Sequence, residues 1–234
     1  MPLAEIIDEF LQISKKEMNN HVEIEFAVNM DPQINNHFIF NFLQIRPIVQ
    51  NLEIANIKIE KIKKEDTIIF STSALGNGII KDVADVVYIK PDVFNPAKNQ
   101  ELAILIEKIN ESFVKKNKNY ILIGPGRWGS SDPWLGIPVK WAQISAARVI
   151  IESGLENYRI DPSQGTHFFQ NLTSFRVGYF TVNPYINDGF CDYNYLDSLE
   201  ASYEDPFMRH IEFIKPLEIK IDGKQNIGVI YKMK

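Results

Sequence analysis

The fold of this chain is decided by residues 84–126, which read ADVVYIKPDVFNPAKNQELAILIEKINESFVKKNKNYILIGPG. The apolar run near the start predicts a buried strand. Asn95 is a preferred capping residue and Pro96 suits the first position of a helix, so we expect a helix to begin there. The apolar run from Tyr120 predicts a second buried strand that ends in a glycine turn. Strand, helix and strand in succession indicate an α/β (α+β) fold.

Length and composition place the chain among globular proteins. It has 234 residues, and 45% of them are hydrophobic, enough for a substantial core. The net charge of -5 and the pI near 5.5 exclude a uniformly basic surface, so we expect no nucleic-acid partner. The N-terminal segment carries acidic residues and no long apolar run occurs, so we expect no signal peptide and no membrane partner. The single cysteine, Cys191, fits a cytoplasmic location.

The first fifty residues differ in pattern from the rest of the chain. Apolar residues at helical spacing predict an amphipathic helix over residues 3–16. Alternation over residues 22–28 predicts a strand with one polar face, and residues 38–45 predict another strand. These two strands make a hairpin with a long tip. We therefore predict two domains, 1–50 and 51–234.

Four polar side chains stand on the predicted hairpin. Gln44 and Arg46 have the same parity on the second strand, so they share a face. Glu23 and Glu25 likewise share a face of the first strand. If the strands pair there, a carboxylate, an amide and a guanidinium converge, which suits Mg²⁺ and the phosphates of a nucleotide. The alternative is an ordinary ion pair on a solvated hairpin.

The order of the helix, the VEIEFAV strand and a strand ending FLQIRP resembles the last part of an ATP-grasp nucleotide-binding domain. The similar family is that of phosphoenolpyruvate synthase and pyruvate phosphate dikinase, which carries D-I-E-[WF] and then Q-x-R-P. The resemblance covers residues 3–49. It implies that Glu25 contacts the metal and the nucleotide, that Gln44 contacts the nucleotide, and that Arg46 contacts phosphate. The implied cofactors are ATP and Mg²⁺.

Two departures from the family pattern shape this hypothesis. The tip between the strands is longer, and the glycine-rich part of an ATP-grasp domain has no room before Met1. We therefore expect the C-terminal part of a longer ATP-dependent phosphotransferase, similar to pyruvate, water dikinase and inactive as this piece alone. The resemblance implies a nucleotide and a small, pyruvate-like anion as partners of the full-length protein.

Residues 51–234 are distantly similar to the swivelling phosphohistidine domain of the same family. The similarity lies in STSALGNGIIKDVADVVYIKPDVF and in LEIKIDGKQNIGVIYK, which predicts a closing hairpin around Asp222 and Gly223. The segment QGTHFFQNL places His167 at a helix start, where N–H groups and the helix dipole stabilise a phosphoryl group. The resemblance implies that His167 is the catalytic phosphoryl carrier. The alternative is a structural, helix-capping histidine.

The segment GPGRWGSSDP supports a different hypothesis, a noncatalytic module that binds an anion or a partner. A glycine loop with a guanidinium and hydroxyls suits a phosphate or a carboxylate. The candidate anion-binding residues are Gly126, Arg127, Gly129, Ser130 and Ser131. The alternative is a tight turn whose two tryptophans, Trp128 and Trp134, cover the core.

The same segment contains G-x-G-x-x-G, the dinucleotide-binding fingerprint, at Gly124, Gly126 and Gly129. Glu152 follows at about the distance of a ribose-binding acid. We do not expect a dinucleotide site, because prolines interrupt the helix that must open at the third glycine.

Three further segments carry predictions. Residues 141–152 fit either a helix running into a strand or one long strand, and HFFQNLTSF predicts a short helix. Residues 184–209 are aromatic, acidic and aperiodic, which predicts a long surface excursion. We expect the remaining histidines to lie at the surface, because their spacing does not suit a metal site. They are His21, His37 and His210.

Overall fold

The computed structural model describes residues 3–18, 22–29, 39–47, 55, 57–130, 132, 134–156, 160, 172 and 177–233. The fold is mixed α+β, with mostly sheet and few helices. The chain divides into two compact units, Met1–Leu52 and Glu53–Lys234. Within the described ranges, every helix is too short or too polar to cross a bilayer.

The first unit is a helix packed on a β-hairpin. Helix α1 spans Leu3–Met18, strand β1 spans Val22–Asn29 and strand β2 spans Ile39–Pro47, and the two strands are antiparallel. These elements confirm the helix and both strands predicted from periodicity.

An aromatic cluster joins α1 to the hairpin. The ring of Phe10 lies 5.3 Å from that of Phe40 and 5.4 Å from that of Phe42, measured between centroids. Phe26 of β1 stacks on Phe40 at 5.1 Å. These rings hold the helix over one face of the hairpin and leave the other face to solvent.

The second unit contains two main helices and fourteen strands in the described ranges. In chain order they are β3 Thr67–Ser71, β4 Ser73–Leu75, β5 Asn77–Ile80, β6 Asp85–Ile89, α2 Asn99–Lys115, β7 Tyr120–Pro125, β8 Arg127–Trp128, β9 Gly136–Ile137, β10 Ala147–Ser153, β11 Gly178–Val182, β12 Phe190–Cys191, α3 Tyr193–Ser198, β13 Tyr203–Glu204, β14 Met208–Glu212, β15 Ile219–Asp222 and β16 Ile227–Tyr231. The predicted strand, helix and strand of residues 84–126 are confirmed as β6, α2 and β7. The side chain of Asn95 accepts the N–H of Ala97 at 3.0 Å, and a single 3-10 turn then leads into α2.

The strands form two large sheets and one short pair. The main sheet has the order β13-β14-β6-β7-β10-β11-β4, in which β6, β7, β10 and β11 are parallel and the flanking β14 and β4 are antiparallel to them. The second sheet, β12-β3-β16-β15-β5, is antiparallel throughout. Strands β8 and β9 pair with each other in parallel.

These elements make three layers, with the main sheet in the middle. Val149 and Ile151 of β10 pack into the core shared with the second sheet, whereas Ile150 packs into the core shared with α2. Burial on both faces explains why the parallel strands are continuously apolar rather than alternating.

Two glycines set the closest approach between the two large sheets. A Cβ atom on Gly228 of β16 would lie 2.5 Å from the ring of Phe180, and one on Gly178 of β11 would lie 2.6 Å from Cδ1 of Ile221. Real Cβ atoms do not come this close to other heavy atoms, so a side chain at either position would require the facing Ile221 or Phe180 side chain to shift.

The prediction of a surface excursion over residues 184–209 is wrong. This segment contains β12, α3, β13 and the start of β14, and it fully buries Leu196 and Met208. Its elements are two to six residues long, too short for any periodicity to appear in the sequence.

Two further predictions in this unit are answered by the structure. Residues 141–152 form a short 3-10 turn, Trp141–Ile144, that runs into β10, which is the first of the two alternatives. The closing hairpin is confirmed as β15 and β16, and the carboxylate of Asp222 accepts the N–H groups of Lys224 and Gln225 in the turn. HFFQNLTSF lies outside the described residues except for Leu172, which is buried.

Candidate functional site

The hairpin of the first unit brings two of its predicted site residues together. Glu25 lies directly opposite Gln44 in the strand register, and Arg46 occupies the position opposite Glu23. Cross-strand partners project from the same face, so the Glu25 carboxylate and the Gln44 amide are neighbours. Glu23, Glu25 and Gln44 are all exposed, on the face that α1 leaves open.

A β-bulge makes this arrangement possible. The register shifts after Glu25, so that Phe26 pairs with Phe42 and Leu43 is the extra residue. In an unbroken strand Phe42 and Gln44 would share a face. The bulge separates them, because it leaves Phe42 with the helix and turns Gln44 to the solvent side with Glu25.

The donor set of this hairpin face fits a magnesium nucleotide. Mg²⁺ is usually bound by one or two carboxylates together with substrate phosphates, and Glu25 and Glu23 offer two exposed carboxylates on one face. In the part of the chain that the structure describes, no group of three His, Cys, Asp or Glu side chains surrounds a metal position.

The GPGRWGSSDP loop leaves β7 at the end where the parallel strands have their carboxyl termini, an edge where α/β proteins often bind ligands. The loop forms β8, which pairs with β9. Gly126 and Gly129 have φ of +81° and +73°, values that favour glycine. Among the described residues of the loop no helix opens at Gly129, so the loop lacks the helix N-terminus of a dinucleotide site.

Most backbone amides of this loop are already used within the protein. Gly126 donates to the carbonyl of Ser153 at 3.2 Å, Arg127 to that of Leu135 at 2.9 Å, and Gly129 to that of Ile137 at 2.9 Å. An anion at this loop would therefore meet the half-buried Arg127 side chain rather than a nest of free N–H groups.

A buried carboxylate completes the inner side of the loop. Glu152 of β10 is fully buried, and its Oε1 accepts the N–H of Trp128 at 2.9 Å. Its Oε2 accepts the hydroxyl of Tyr179 at 2.5 Å. The indole of Trp128 is also buried and donates to the carbonyl of Ile151 at 3.0 Å. Glu152 is therefore a structural acceptor for the loop.

The other predicted residues of the loop differ in burial and in hydrogen bonding. Trp128 covers the core, as the turn alternative predicted, but Trp134 is 70% exposed and does not. The Ser130 hydroxyl donates to the carbonyl of Asp132 at 2.9 Å and accepts the N–H of the same residue. Ser131 and the candidate carrier His167 lie outside the described residues, as do His21 and His37.

The prediction that His210 is a simple surface residue is wrong. Its Nε2 lies 2.7 Å from Oδ1 of Asp85, and their side chains are only 14% and 4% exposed. The ring of His210 meets that of Phe113 edge-on, with centroids 5.2 Å apart. Because Asp85 and His210 are 125 positions apart, no local spacing in the sequence reveals this pair.

Lys118 extends this cluster. Its Nζ lies 2.7 Å from Glu212 and 3.9 Å from Asp85. The hydrogen bond to Glu212, together with the charge of Asp85, raises the pKa of Lys118 above its ordinary value, so the ammonium stays charged. Asp85, Lys118, His210 and Glu212 line one side of a groove, which is the polar cluster that sequence reasoning missed.

No family model, no curated protein and no solved structure matches this chain.

Proposed function

We propose that the chain is the C-terminal part of a phosphoenolpyruvate synthase-like phosphotransferase and that its hairpin contributes to the Mg-ATP site. The observation that supports this is the strand register, in which Glu25 faces Gln44 and Arg46 stands two positions further along, opposite Glu23. The bulge at Leu43 turns Gln44 away from the aromatic cluster. The aromatic rings that pack α1 on the hairpin include neither Glu25 nor Gln44.

Each hairpin residue has one role in this proposal. Glu25 binds Mg²⁺, Gln44 makes a hydrogen bond to the nucleotide, and Arg46 binds phosphate oxygens. Catalysis of phosphoryl transfer consists mostly of positioning and charge neutralisation, which a carboxylate-held metal and a guanidinium provide.

In the same proposal, residues 51–234 carry the phosphoryl group on His167. A ring nitrogen attacks a phosphorus atom of ATP, the bond from that phosphorus to the bridging oxygen breaks, and the shortened nucleotide leaves with the bonding electrons. This role comes from the sequence resemblance alone. The acceptor implied by that resemblance is a pyruvate-like anion.

Calorimetric titration of the chain with Mg-ATP tests the hairpin. We expect binding to be lost in Arg46→Ala and in Glu25→Gln. The matched controls are Lys15→Ala and Glu9→Gln, which make the same charge changes at exposed positions of α1. Undiminished Mg-ATP binding by Arg46→Ala would remove the nucleotide-site proposal.

The carrier step needs its own experiment. The protein expressed from its complete reading frame is incubated with ATP labelled in both the β- and the γ-phosphate, and we expect an acid-labile label that disappears in His167→Ala. A label that survives in this variant, or the absence of any acid-labile label, contradicts the carrier role without touching the hairpin.

A second function, a noncatalytic module that binds an anion or a partner through the GPGRWGSSDP loop, is favoured by a different observation. Arg127 lies at the carboxyl edge of the parallel strands, and the neighbouring Trp134 is largely exposed. The same calorimeter decides between the two functions with inorganic phosphate and pyruvate as probes. Binding lost in Arg127→Ala but kept in Arg46→Ala favours the loop, and the opposite pattern favours the hairpin.

A further inference from the structure

A groove of about 460 Å³ runs between the C-terminal half of α2 and the strands β13 and β14. Its volume lies within the range of about 300–1,000 Å³ that small-molecule sites occupy. The groove shares no residue with the hairpin or the glycine loop, so a ligand there can be tested separately from the proposed phosphotransferase function.

The helix side of the groove is apolar. Leu105, Ile109 and Phe113 are spaced by four residues, so they form one stripe along α2. They are buried or half-buried and continue the core beneath the helix. This wall offers contact to a flat or aliphatic body.

Two lysines stand on the same side of the helix. Lys108 and Lys116 line the groove, and neither ammonium has a carboxylate partner among the residues that the structure describes. The other lysines of this helical segment behave differently, because Lys98 pairs with Glu101 and Lys115 pairs with Glu111. Two cations without a carboxylate partner beside an apolar stripe favour an anionic ligand.

The sheet side of the groove carries the imidazole of His210, and only one of its two nitrogens contacts Asp85. Asp85 holds Nε2 of His210, which fixes the orientation of the ring. Within the described part of the chain Nδ1 makes no hydrogen bond, and this atom is not buried. Nδ1 is therefore open to a ligand in the groove.

We propose that this groove binds a small organic anion, a phosphate monoester or a carboxylate carried on an apolar body. Lys108 and Lys116 hold the anionic group, and the stripe around Phe113 contacts the body. Because Nε2–H donates to Asp85, Nδ1 of His210 accepts a hydrogen bond from a ligand O–H when the ring is neutral and donates one to the anion when the ring is an imidazolium. The ammonium of Lys118 already contacts Glu212 and Asp85, so we do not assign it a contact with the ligand.

Calorimetric titration of the whole chain with phenyl phosphate tests this site. We expect the double variant Lys108→Ala, Lys116→Ala to bind about tenfold more weakly or worse, as the loss of charge-assisted hydrogen bonds predicts. The matched control is Lys98→Ala, Lys115→Ala, which removes the same charge from the same segment, and it should bind like the unaltered protein. Equal weakening in both double variants would mean that only net charge matters, which overturns the site.

Further arms separate the parts of the proposal. Benzoate in place of phenyl phosphate tells whether a carboxylate is accepted as well as a phosphate, and saturable binding of neither contradicts the proposal. Phenol is the same body without the charge, and binding as tight as that of phenyl phosphate would refute the role of the lysines.

His210→Gln keeps a donor near the position of Nε2 but removes Nδ1, so it should weaken phenyl phosphate binding while the chain stays folded. Undiminished binding would exclude His210 from the site.

Discussion

The backbone N–H of Trp128 donates a 2.9 Å hydrogen bond to Oε1 of Glu152, a fully buried carboxylate on a neighbouring strand. The turn after β7 is therefore held by an acidic side chain of the protein itself. A glycine-rich loop at this edge of a parallel sheet often serves a phosphate. Here the carboxylate of Glu152 occupies that role and stabilises the loop.

Replacing Glu152 by alanine should cost about 2–4 kcal/mol of folding free energy, because the buried Trp128 N–H and Tyr179 hydroxyl both lose their acceptor. Urea unfolding followed by tryptophan fluorescence measures this loss. Glu152→Gln keeps the acceptor for Trp128 and should lose less. The control Glu156→Ala removes an exposed carboxylate nearby and should be almost neutral. A loss in Glu152→Ala no larger than in the control would contradict the structural role.

Arg209 is the second buried charged group with a structural role. Its guanidinium donates to the Tyr88 hydroxyl at 3.1 Å, to the carbonyl of Asp197 at 3.0 Å and to that of Leu199 at 2.9 Å. It thereby binds the C-terminal end of α3 to the main sheet. A lysine has one ammonium and cannot reproduce this fork.

We therefore expect Arg209→Lys to lower the free energy of unfolding by about 3 kcal/mol, the usual scale for breaking a buried charged network. Hydrogen exchange should show faster opening of α3 while the parallel strands stay protected. Lys215→Arg, a change between the same two residue types at an exposed site, is the control. Unchanged exchange in α3 would show that the fork is dispensable.

Asp192 should give the protein a specific response to acid. Burial alone would raise its pKa, but the hydrogen bond from Lys232 at 2.8 Å and the N–H of Tyr195 outweigh it, so the pKa of Asp192 is lowered. A carboxyl group with a lowered pKa contributes stability above its ordinary pKa and loses it as the pH falls through the lowered value.

Asp192→Asn keeps a helix cap and removes the charge. Its destabilisation should be about 1 kcal/mol near pH 6 and should shrink toward zero below about pH 4. Denaturant unfolding at a series of pH values measures this difference, with Asp92→Asn as an exposed control. A difference that grows as the pH falls would reverse the sign that we derive.

Cys191 should react slowly despite being the only thiol. Burial raises the pKa of Cys191 well above its ordinary value, so little thiolate exists at neutral pH. Iodoacetamide should label the native protein far more slowly than the urea-unfolded protein. Equal rates in the two states would show that the thiol is exposed and ionised.

Periodicity in the sequence is sufficient to predict a helix or strand wherever that element is long. Helix α1 and the strand, helix and strand of residues 84–126 appear where their apolar patterns predict them. The alternation of side chains along a strand gives a wrong prediction at one point in β2. It places Phe42 and Gln44 on one face, whereas the bulge at Leu43 separates them. A bulge depends on pairing with the other strand, which a single strand's pattern does not contain.

The groove escapes prediction for a related reason. Asp85 begins one strand and His210 lies in the middle of another, and only the order of strands in the main sheet places them side by side.

The role of Glu152 could not be predicted from its position in the sequence, because its distance from the glycines suggests a ribose ligand instead of a buried acceptor. Its burial depends on the two neighbouring strands, β7 and β11, which close over it.

The close contacts at Gly178 and Gly228 have a consequence for tracing the ancestry of this chain. Bulky apolar residues in the strands can exchange with one another during evolution as long as volume is kept, so their identities fade first. Gly178 and Gly228 cannot be replaced unless Ile221 or Phe180 shifts or shrinks at the same time. A remote homologue is therefore best sought by these two coupled pairs, each a glycine facing a large side chain.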